Sequence, residues 1–238
     1  MGYQTIFKRY ELKYMISNEQ KKRIVTAMQP FMQPDQYGHS TIRNIYFDTD
    51  NYRLIRRSVE KPVYKEKLRI RSYSRVEQTD TVFVELKKKY KSVVYKRRIS
   101  LPEQEAMNWI VNGAFLHPHT QIAEEIEYFR KCYGKLHPTV FLSYEREAFY
   151  ALDGSDFRVT FDENISARTF DLSLCHEAGG TKLIKDGALM EIKVSSGIPL
   201  WMTKILSDNN LYKTSFSKYA TAYADLILNK QGVLQNVG

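Results

Sequence analysis

The sequence predicts an α+β fold in which an antiparallel sheet or barrel of eight strands is punctuated by helices. Three observations carry this. Eight segments read as strands at regular spacing, with turn signals such as Asp153-Gly154 between several of them. Within many of these segments charged and apolar residues alternate, the period of a strand whose two faces meet different surroundings. Between them lie segments that open and close with helix signals.

The first strand, 6–15, sets Glu11 and Lys13 on one face and Leu12 on the other. Ser17-Asn-Glu-Gln20 has the spacing of a capping box and opens a helix that ends near Pro30. Strand 41–47 follows, then 65–73, where Lys67-Leu-Arg69-Ile-Arg71-Ser-Tyr73 puts three cations opposite Leu68 and Ile70. In strand 81–88, Glu85 and Lys87 alternate with Val84 and Leu86, and strand 91–101 comes next. Ser100-x-Pro102-Glu103 starts a helix that runs to about Gly113. A third helix, 120–133, carries Ile122, Ile126 and Phe129 on one face and closes at Gly134. Strands 139–150, 157–162 and 188–194 complete the sheet. Arg158, Thr160 and Asp162 share a face against Val159 and Phe161; Glu191 and Lys193 share one against Ile192 and Val194. Helices 199–206 and 217–228 end the set.

The charge is concentrated. Residues 53–98 hold sixteen Lys/Arg against five Asp/Glu, while the rest of the chain balances at twenty against twenty-two, so the net +9 originates in this stretch. Like charges aligned on one strand face repel unless an anion lies against them. The partner classes this allows are nucleic acid, an anionic membrane or a phosphorylated ligand. A hydrophobic content of 43% and an aromatic content of 13% suffice for a core and exclude global disorder. No linker, repeat or low-complexity segment interrupts residues 1–238, which reads as a single domain. Cys132 and Cys175 are far apart and read as free buried thiols in a reducing compartment. His117 and His119 read as part of a solvated turn. The N-terminus lacks a signal-peptide pattern and no run of about twenty apolar residues occurs. The expectation is a soluble, cytoplasmic protein with no transmembrane segment of its own.

A solvated outer face explains the alternation in any one strand. Across the set, nearly every such face carries Arg or Lys, often two residues from Glu. An eight-stranded closed sheet can enclose a lumen for one small ligand. Lined by cations and a few carboxylates, such a lumen suits a phosphate chain with a divalent metal.

An ordered series of short motifs carries a family resemblance: Arg9-Tyr-Glu-Leu-Lys13-Tyr, Ile45-Tyr-Phe-Asp48-Thr, Lys67-Leu-Arg-Ile-Arg71-Ser-Tyr, Val84-Glu-Leu-Lys87, Tyr144-Glu-Arg146-Glu-Ala-Phe149, Arg158-Val-Thr-Phe-Asp162, Leu189-Met-Glu-Ile-Lys193 and Ser215-Phe-Ser-Lys218-Tyr. In this order they resemble the polyphosphate polymerase (VTC) domain of the CYTH-like, triphosphate tunnel metalloenzyme superfamily. The resemblance implies an eight-stranded antiparallel tunnel with helices outside. It also implies transfer of the γ-phosphoryl group of ATP onto a polyphosphate chain end, with Mn²⁺ or Mg²⁺, releasing ADP. Relatives in the superfamily hydrolyse triphosphates, cap RNA or cyclise ATP. The superfamily's N-terminal Glu-x-Glu-x-Lys signature has Arg9 in its first position here, which replaces a potential metal ligand with a phosphate ligand and weakens the hydrolase reading.

On this resemblance, Arg69 and Arg71 would grip successive phosphates bidentately. Lys87, Arg146, Arg158 and Lys218 would complete the catalytic set, with Arg9, Lys13, Lys67, Lys193, Lys213 and Ser215 binding substrate. Glu191 would be the principal metal ligand, with Glu85 and Glu11 as helpers; Glu85 could equally orient Arg or Lys as an acceptor. Asp162 is expected to hold Arg158. Tyr46, Phe47, Asp48 and Tyr52 read as packing and turn residues. The expected partners are ATP and polyphosphate or triphosphate, without nucleic acid, and a separate membrane protein could pair with the chain. A triphosphate hydrolase and a non-catalytic polyphosphate or nucleotide sensor are the competing functions.

Overall fold

The structure, a computed structural model, describes residues 10–60, 62–91, 93–114, 120–195 and 197–229. Residues 6–9 of the first predicted strand, with Arg9, and His117 and His119 lie outside the described residues. The elements run β1 (Tyr10–Ile16), α1 (Asn18–Met28), β2 (Met32–Asp48), α2 (Arg53–Val59), β3 (Tyr64–Ser72), β4 (Thr81–Tyr90) and β5 (Val93–Pro102). Next come α3 (Glu103–Asn112), α4 (Gln121–Tyr133), β6 (His137–Ala151), β7 (Arg158–Arg168), β8 (Thr181–Lys182) and β9 (Ala188–Val194). The last described elements are α5 (Leu200–Asp208), β10 (Lys213–Thr214) and α6 (Lys218–Tyr223), which continues as a π-helical turn over Ala224–Leu228.

Local chemistry accounts for most boundaries. Ser17 Oγ accepts from the Gln20 amide at 3.1 Å and Gln20 Oε1 accepts from the Ser17 amide at 2.9 Å, so the predicted capping box opens α1. Thr120 Oγ1 accepts from the Ala123 amide at 3.2 Å to start α4, and Arg130 and Lys131 lie in its last turn, where the helix dipole favours cations. Gly187 leads into β9 at φ +92, and a Cβ there would stand 2.2 Å from the Ile16 carbonyl oxygen, so only glycine lets the chain pass β1.

The sequence did not predict α2, because its cap is remote. The position flanking the helix is Tyr52, which supplies no side-chain cap. Asp48, at the end of β2, does the work instead: Oδ1 accepts from the Leu54 amide at 2.8 Å and Oδ2 from the Ile55 amide at 2.9 Å. Burial pushes the Asp48 carboxyl up, with these backbone bonds opposing it.

The strands form one sheet in the order β10-β1-β9-β7-β6-β2-β3-β4-β5, with β8 on β7. All eight predicted strands are present, and the two additional ones, β8 and β10, have two residues each. Among the described residues the hydrogen-bonded order has two ends, β10 and β5, so the ladder is open where a closed barrel was expected. The β5 edge carries Lys96, Arg97 and Arg98, charges of the kind that blunt an exposed edge.

Contacts divide the chain into two compact units. One comprises Met1–Thr41, Tyr144–Ile165 and Ile184–Phe216; the other comprises Ile42–Ser143, Ser166–Leu183 and Ser217–Gly238. In the first, Phe149, Val159, Phe161, Met190 and Ile192 pack against Ile24 and Met28 of α1 and Met202 of α5. In the second, Leu68, Ile70, Val84 and Leu86 pack against Trp109 of α3 and Ile126 and Phe129 of α4. In both, the apolar members of the alternating strands face helices, which leaves the charged members on the opposite face. The two cysteines are free, and Cys132 is exposed where a buried thiol was expected, because it lies on the outer side of α4.

Candidate functional site

The second unit carries a cation face on β3, β4 and β5. The register aligns Arg69 with Glu85 and Glu85 with Arg98; one step along, it aligns Lys67 with Lys87 and Lys87 with Lys96. Three lysines side by side on adjacent strands is a repulsive arrangement in the absence of an anion. Beside them Glu85, 1% exposed, is the shared acceptor. Arg69 donates to its Oε2 from Nε at 2.9 Å and Nη2 at 2.7 Å. Lys96 Nζ stands 2.6 Å from Oε1, and Arg98 donates to Oε1 from Nε at 2.7 Å. Arg71 Nε lies 3.9 Å from Oε2. Burial works against the Glu85 charge, but Arg69, Arg71 and Lys96 outweigh it and hold the carboxyl well below the usual carboxylate range. Burial pulls the Lys96 ammonium down to about 7, with Glu85 opposing. One carboxylate therefore organises four cations and leaves them net positive.

Tyrosines extend this face. Tyr46 accepts from Arg69 Nη1 at 3.0 Å and stacks on Tyr219 of α6 with ring centroids 4.4 Å apart. Burial pushes its hydroxyl up, but Arg69 and Arg71 more than reverse this and leave it below the ordinary phenol value. Tyr46 thus belongs to the cluster, where the sequence had assigned it to packing. Tyr219 donates to Asp48 Oδ2 at 3.0 Å, so the residue that caps α2 also anchors α6. Lys67 donates to Ser217 Oγ at 3.1 Å, and Lys218, the first residue of α6, is buried. Arg71 donates from Nε to Asn44 Oδ1 at 2.9 Å.

The first unit carries a mixed cluster on β1, β9, β7 and β6. Lys13 is registered opposite Glu191 and Glu11 opposite Lys193. Lys13 Nζ lies 3.3 Å from Glu11, 3.4 Å from Glu191 Oε1 and 3.1 Å from the Phe216 carbonyl oxygen. Arg146 grips Asp162 bidentately at 2.6 and 2.7 Å and reaches Glu191 Oε2 at 3.2 Å. Burial opposes the Arg146 charge, but Tyr144 and Asp162 raise it well above its ordinary value. Lys193 stands 3.8 Å from Glu191 Oε2; burial draws its ammonium down to about 8, with Glu191 opposing.

The predicted residues thus fall into two groups. Arg69, Arg71, Lys67, Lys87 and Glu85 share one face, and Glu11, Lys13, Arg146, Glu191 and Lys193 form the other cluster. Arg158 is half exposed and bonds Asp35 Oδ2 at 3.0 Å, and Asp162 holds Arg146, not Arg158 as expected. The reason is reach: four residues along a strand span about 13 Å, whereas neighbouring strands are about 5 Å apart. Lys213 and Ser215 are exposed. Arg69, Lys96 and Arg98 hold both Glu85 oxygens at 2.9 Å or less, closer than the 3.2–3.8 Å at which Lys13, Arg146 and Lys193 stand from the Glu191 oxygens, and this is the arrangement of an orienting acceptor. Lys96 and Arg98 were missed, because Lys96-Arg97-Arg98 is an unbroken cationic run with no alternation to reveal its faces. Arg97 in fact turns the other way, to Glu125 of α4 at 2.9 Å.

Among the described residues no three His, Cys, Asp or Glu side chains gather into a metal cluster. Glu191 and Glu11, with Lys13 between them, are a donor set for a hard divalent ion whose other ligands are phosphate oxygens and water, as is usual for Mg²⁺. The residues fit such an ion. They do not build a cage for a metal held by protein alone.

No described helix is long and apolar enough to cross a membrane. The VTC domain family model matches residues 8–227. No curated protein matches the chain. Among solved structures, a Bacillus halodurans protein carrying the provisional name adenylate cyclase aligns at a TM-score of 0.58 with 17% identity, over 90% of this chain and 96% of its own. A Vibrio parahaemolyticus protein with the same provisional name aligns at 0.49 with 10% identity, over 92% and 98%. At 17% identity the Bacillus likeness is one of fold. The family match over nearly the whole length shows that the chain belongs to the VTC domain family.

Proposed function

We propose that the protein is an ATP-dependent polyphosphate polymerase. A terminal phosphate oxygen of the growing chain attacks the γ-phosphorus of ATP. The new P–O bond forms as the bond to the β–γ bridging oxygen breaks, and ADP leaves with that electron pair. Phosphoryl transfer needs in-line positioning and neutralisation of spread negative charge more than covalent participation.

The observation that carries this reading is the cation face of β3, β4 and β5. The Lys67–Lys87–Lys96 row beside the Arg69–Glu85–Arg98 row is a fixed array that linked phosphates would relieve of its repulsion. Glu85 pre-orients Arg69 and Arg98, so little ordering remains to be done when phosphate binds. In this reading Arg69, Arg71, Lys87 and Lys67 grip phosphates, and the buried Lys218 contributes a point charge. In the other unit Lys13, Arg146 and Lys193 are the phosphate ligands around the metal-holding carboxylates. A Mn²⁺ or Mg²⁺ ion on Glu191, assisted by Glu11, supplies charge neutralisation on phosphate oxygens when bound.

The test is incubation of the purified chain with ATP and Mn²⁺. A polyphosphate ladder with matching ADP is the expected result, and Arg69→Ala with Arg71→Ala should abolish it while the chain stays folded. ATP binding without product would make the protein a sensor. Release of inorganic phosphate alone would make it a hydrolase, and cyclic AMP would make it a cyclase. Each of these outcomes overturns the polymerase reading.

A further inference from the structure

Thr160, on β7, is 1% exposed, and its hydroxyl is buried without a hydrogen-bond partner. Other orphaned buried atoms occur among the described residues, on Arg43, His137 and Arg168, but those side chains are engaged elsewhere: Arg43 with the His176 carbonyl, His137 with Asp50 at 2.7 Å, and Arg168 with the Asp171, Glu177 and Gly179 carbonyls. Thr160 has a single polar group and leaves it unused. Such a hydroxyl costs stability that a valine of the same shape would not.

Its position suggests what the hydroxyl is for. The register sets Thr160 opposite Glu191, on the same face as Asp162, while Val159 and Phe161 turn into the core. It therefore lies within the charged layer, beside the carboxylate. Glu191 meets Lys13 at 3.4 Å on one oxygen, and Arg146 at 3.2 Å and Lys193 at 3.8 Å on the other. On the polymerase reading, on which this inference rests, those same cations turn toward arriving phosphate. A buried carboxylate that loses one of its cations is kept charged and aimed better with a further donor standing beside it.

We propose that Thr160 is a positioning residue whose hydroxyl donates to Glu191 when phosphate draws Lys13 or Arg146 away, keeping the carboxylate directed at the divalent ion. Before phosphate arrives the hydroxyl is held in reserve. This explains why a β-branched polar residue stands where valine would pack as well.

Thr160→Val and Thr160→Ser test this in the full chain by thermal melting without ligand, and by tripolyphosphate titration calorimetry with and without Mn²⁺. Thr160→Val should raise the Tm of the free protein by about 2–4 °C. It should also cut the Mn²⁺-dependent gain in affinity by about fivefold or more, while Thr160→Ser keeps the wild-type gain. An unchanged or lowered Tm for Thr160→Val would show that the hydroxyl is already partnered and overturn the proposal. A raised Tm with an undiminished Mn²⁺ gain would show an idle hydroxyl and overturn it equally. If the wild-type chain itself shows no Mn²⁺ gain, the metal-assisted function fails first and takes this proposal with it.

Discussion

Glu85 shows how one side chain sets the character of a surface. A carboxylate at 1% exposure is tolerable only because Arg69, Lys96 and Arg98 bond it and Arg71 stands close. Removing its charge strands those cations beside one another. Glu85→Gln should therefore lower stability by about 3 kcal/mol at neutral pH, measured by denaturant unfolding. Tripolyphosphate should restore part of the loss by replacing the missing negative charge. The sign of the pH dependence follows from the depressed carboxyl: the stability that Glu85 contributes is present above its ordinary unfolded value and lost as pH falls below it. An unchanged midpoint would mean that the cations of this face do not depend on the Glu85 charge. Glu85 was legible in the sequence as a charged member of an alternating strand. Its partners Lys96 and Arg98 were not, because a run of three cations hides which two share a face.

At the scale of elements, β5 and α2 each yield a prediction. On β5, burial brings the Lys96 ammonium to about 7 in the free protein. A bound phosphate raises it again, so the complex carries more protons than the free protein above that pH. Tripolyphosphate affinity should accordingly fall as pH rises from about 7 to 9, and Lys96→Met should flatten the lower part of that fall. A wild-type affinity independent of pH over this range would place phosphate away from Lys96. For α2, Asp48 closes the first turn and also receives the Tyr219 hydroxyl of α6. Asp48→Ala should cost more than the ~1 kcal/mol typical of a lost helix cap, since both elements lose their anchor. Hydrogen exchange should show faster amides in both α2 and α6; acceleration in α2 alone would remove the link. Capping boxes and glycine stops, as at Ser17 and Gly134, are written locally and were read from the sequence. A cap supplied from Asp48, four residues before the helix flank, is not written that way.

For the molecule as a whole, a net charge of +9 drawn from one stretch makes the folded chain self-repelling until an anion binds. At a hundred times its Kd, tripolyphosphate should stabilise the chain by about 2.7 kcal/mol and raise Tm by about 5–10 °C. A single-stranded RNA of equal charge, whose phosphates are spaced apart by ribose instead of joined directly, should raise it much less. Equal shifts would mean that a diffuse basic patch, not the Lys67–Lys87–Lys96 and Arg69–Glu85–Arg98 rows, binds the anion. The sequence by itself determined which residues share a strand face, because side chains alternate with a period of two and Lys67, Arg69 and Arg71, or Glu191 and Lys193, obey it wherever apolar neighbours mark the other face. It also determined where most strands and helices lie, since propensity and capping act over a few residues. Only the tertiary structure decided who meets whom: Asp162 with Arg146, Lys96 with Glu85, Asp48 with Tyr219, and, among the described residues, a ladder with two ends. Those pairings depend on strand register and on segments far apart in the chain, and an interaction across about 5 Å of space leaves no trace in an order of residues.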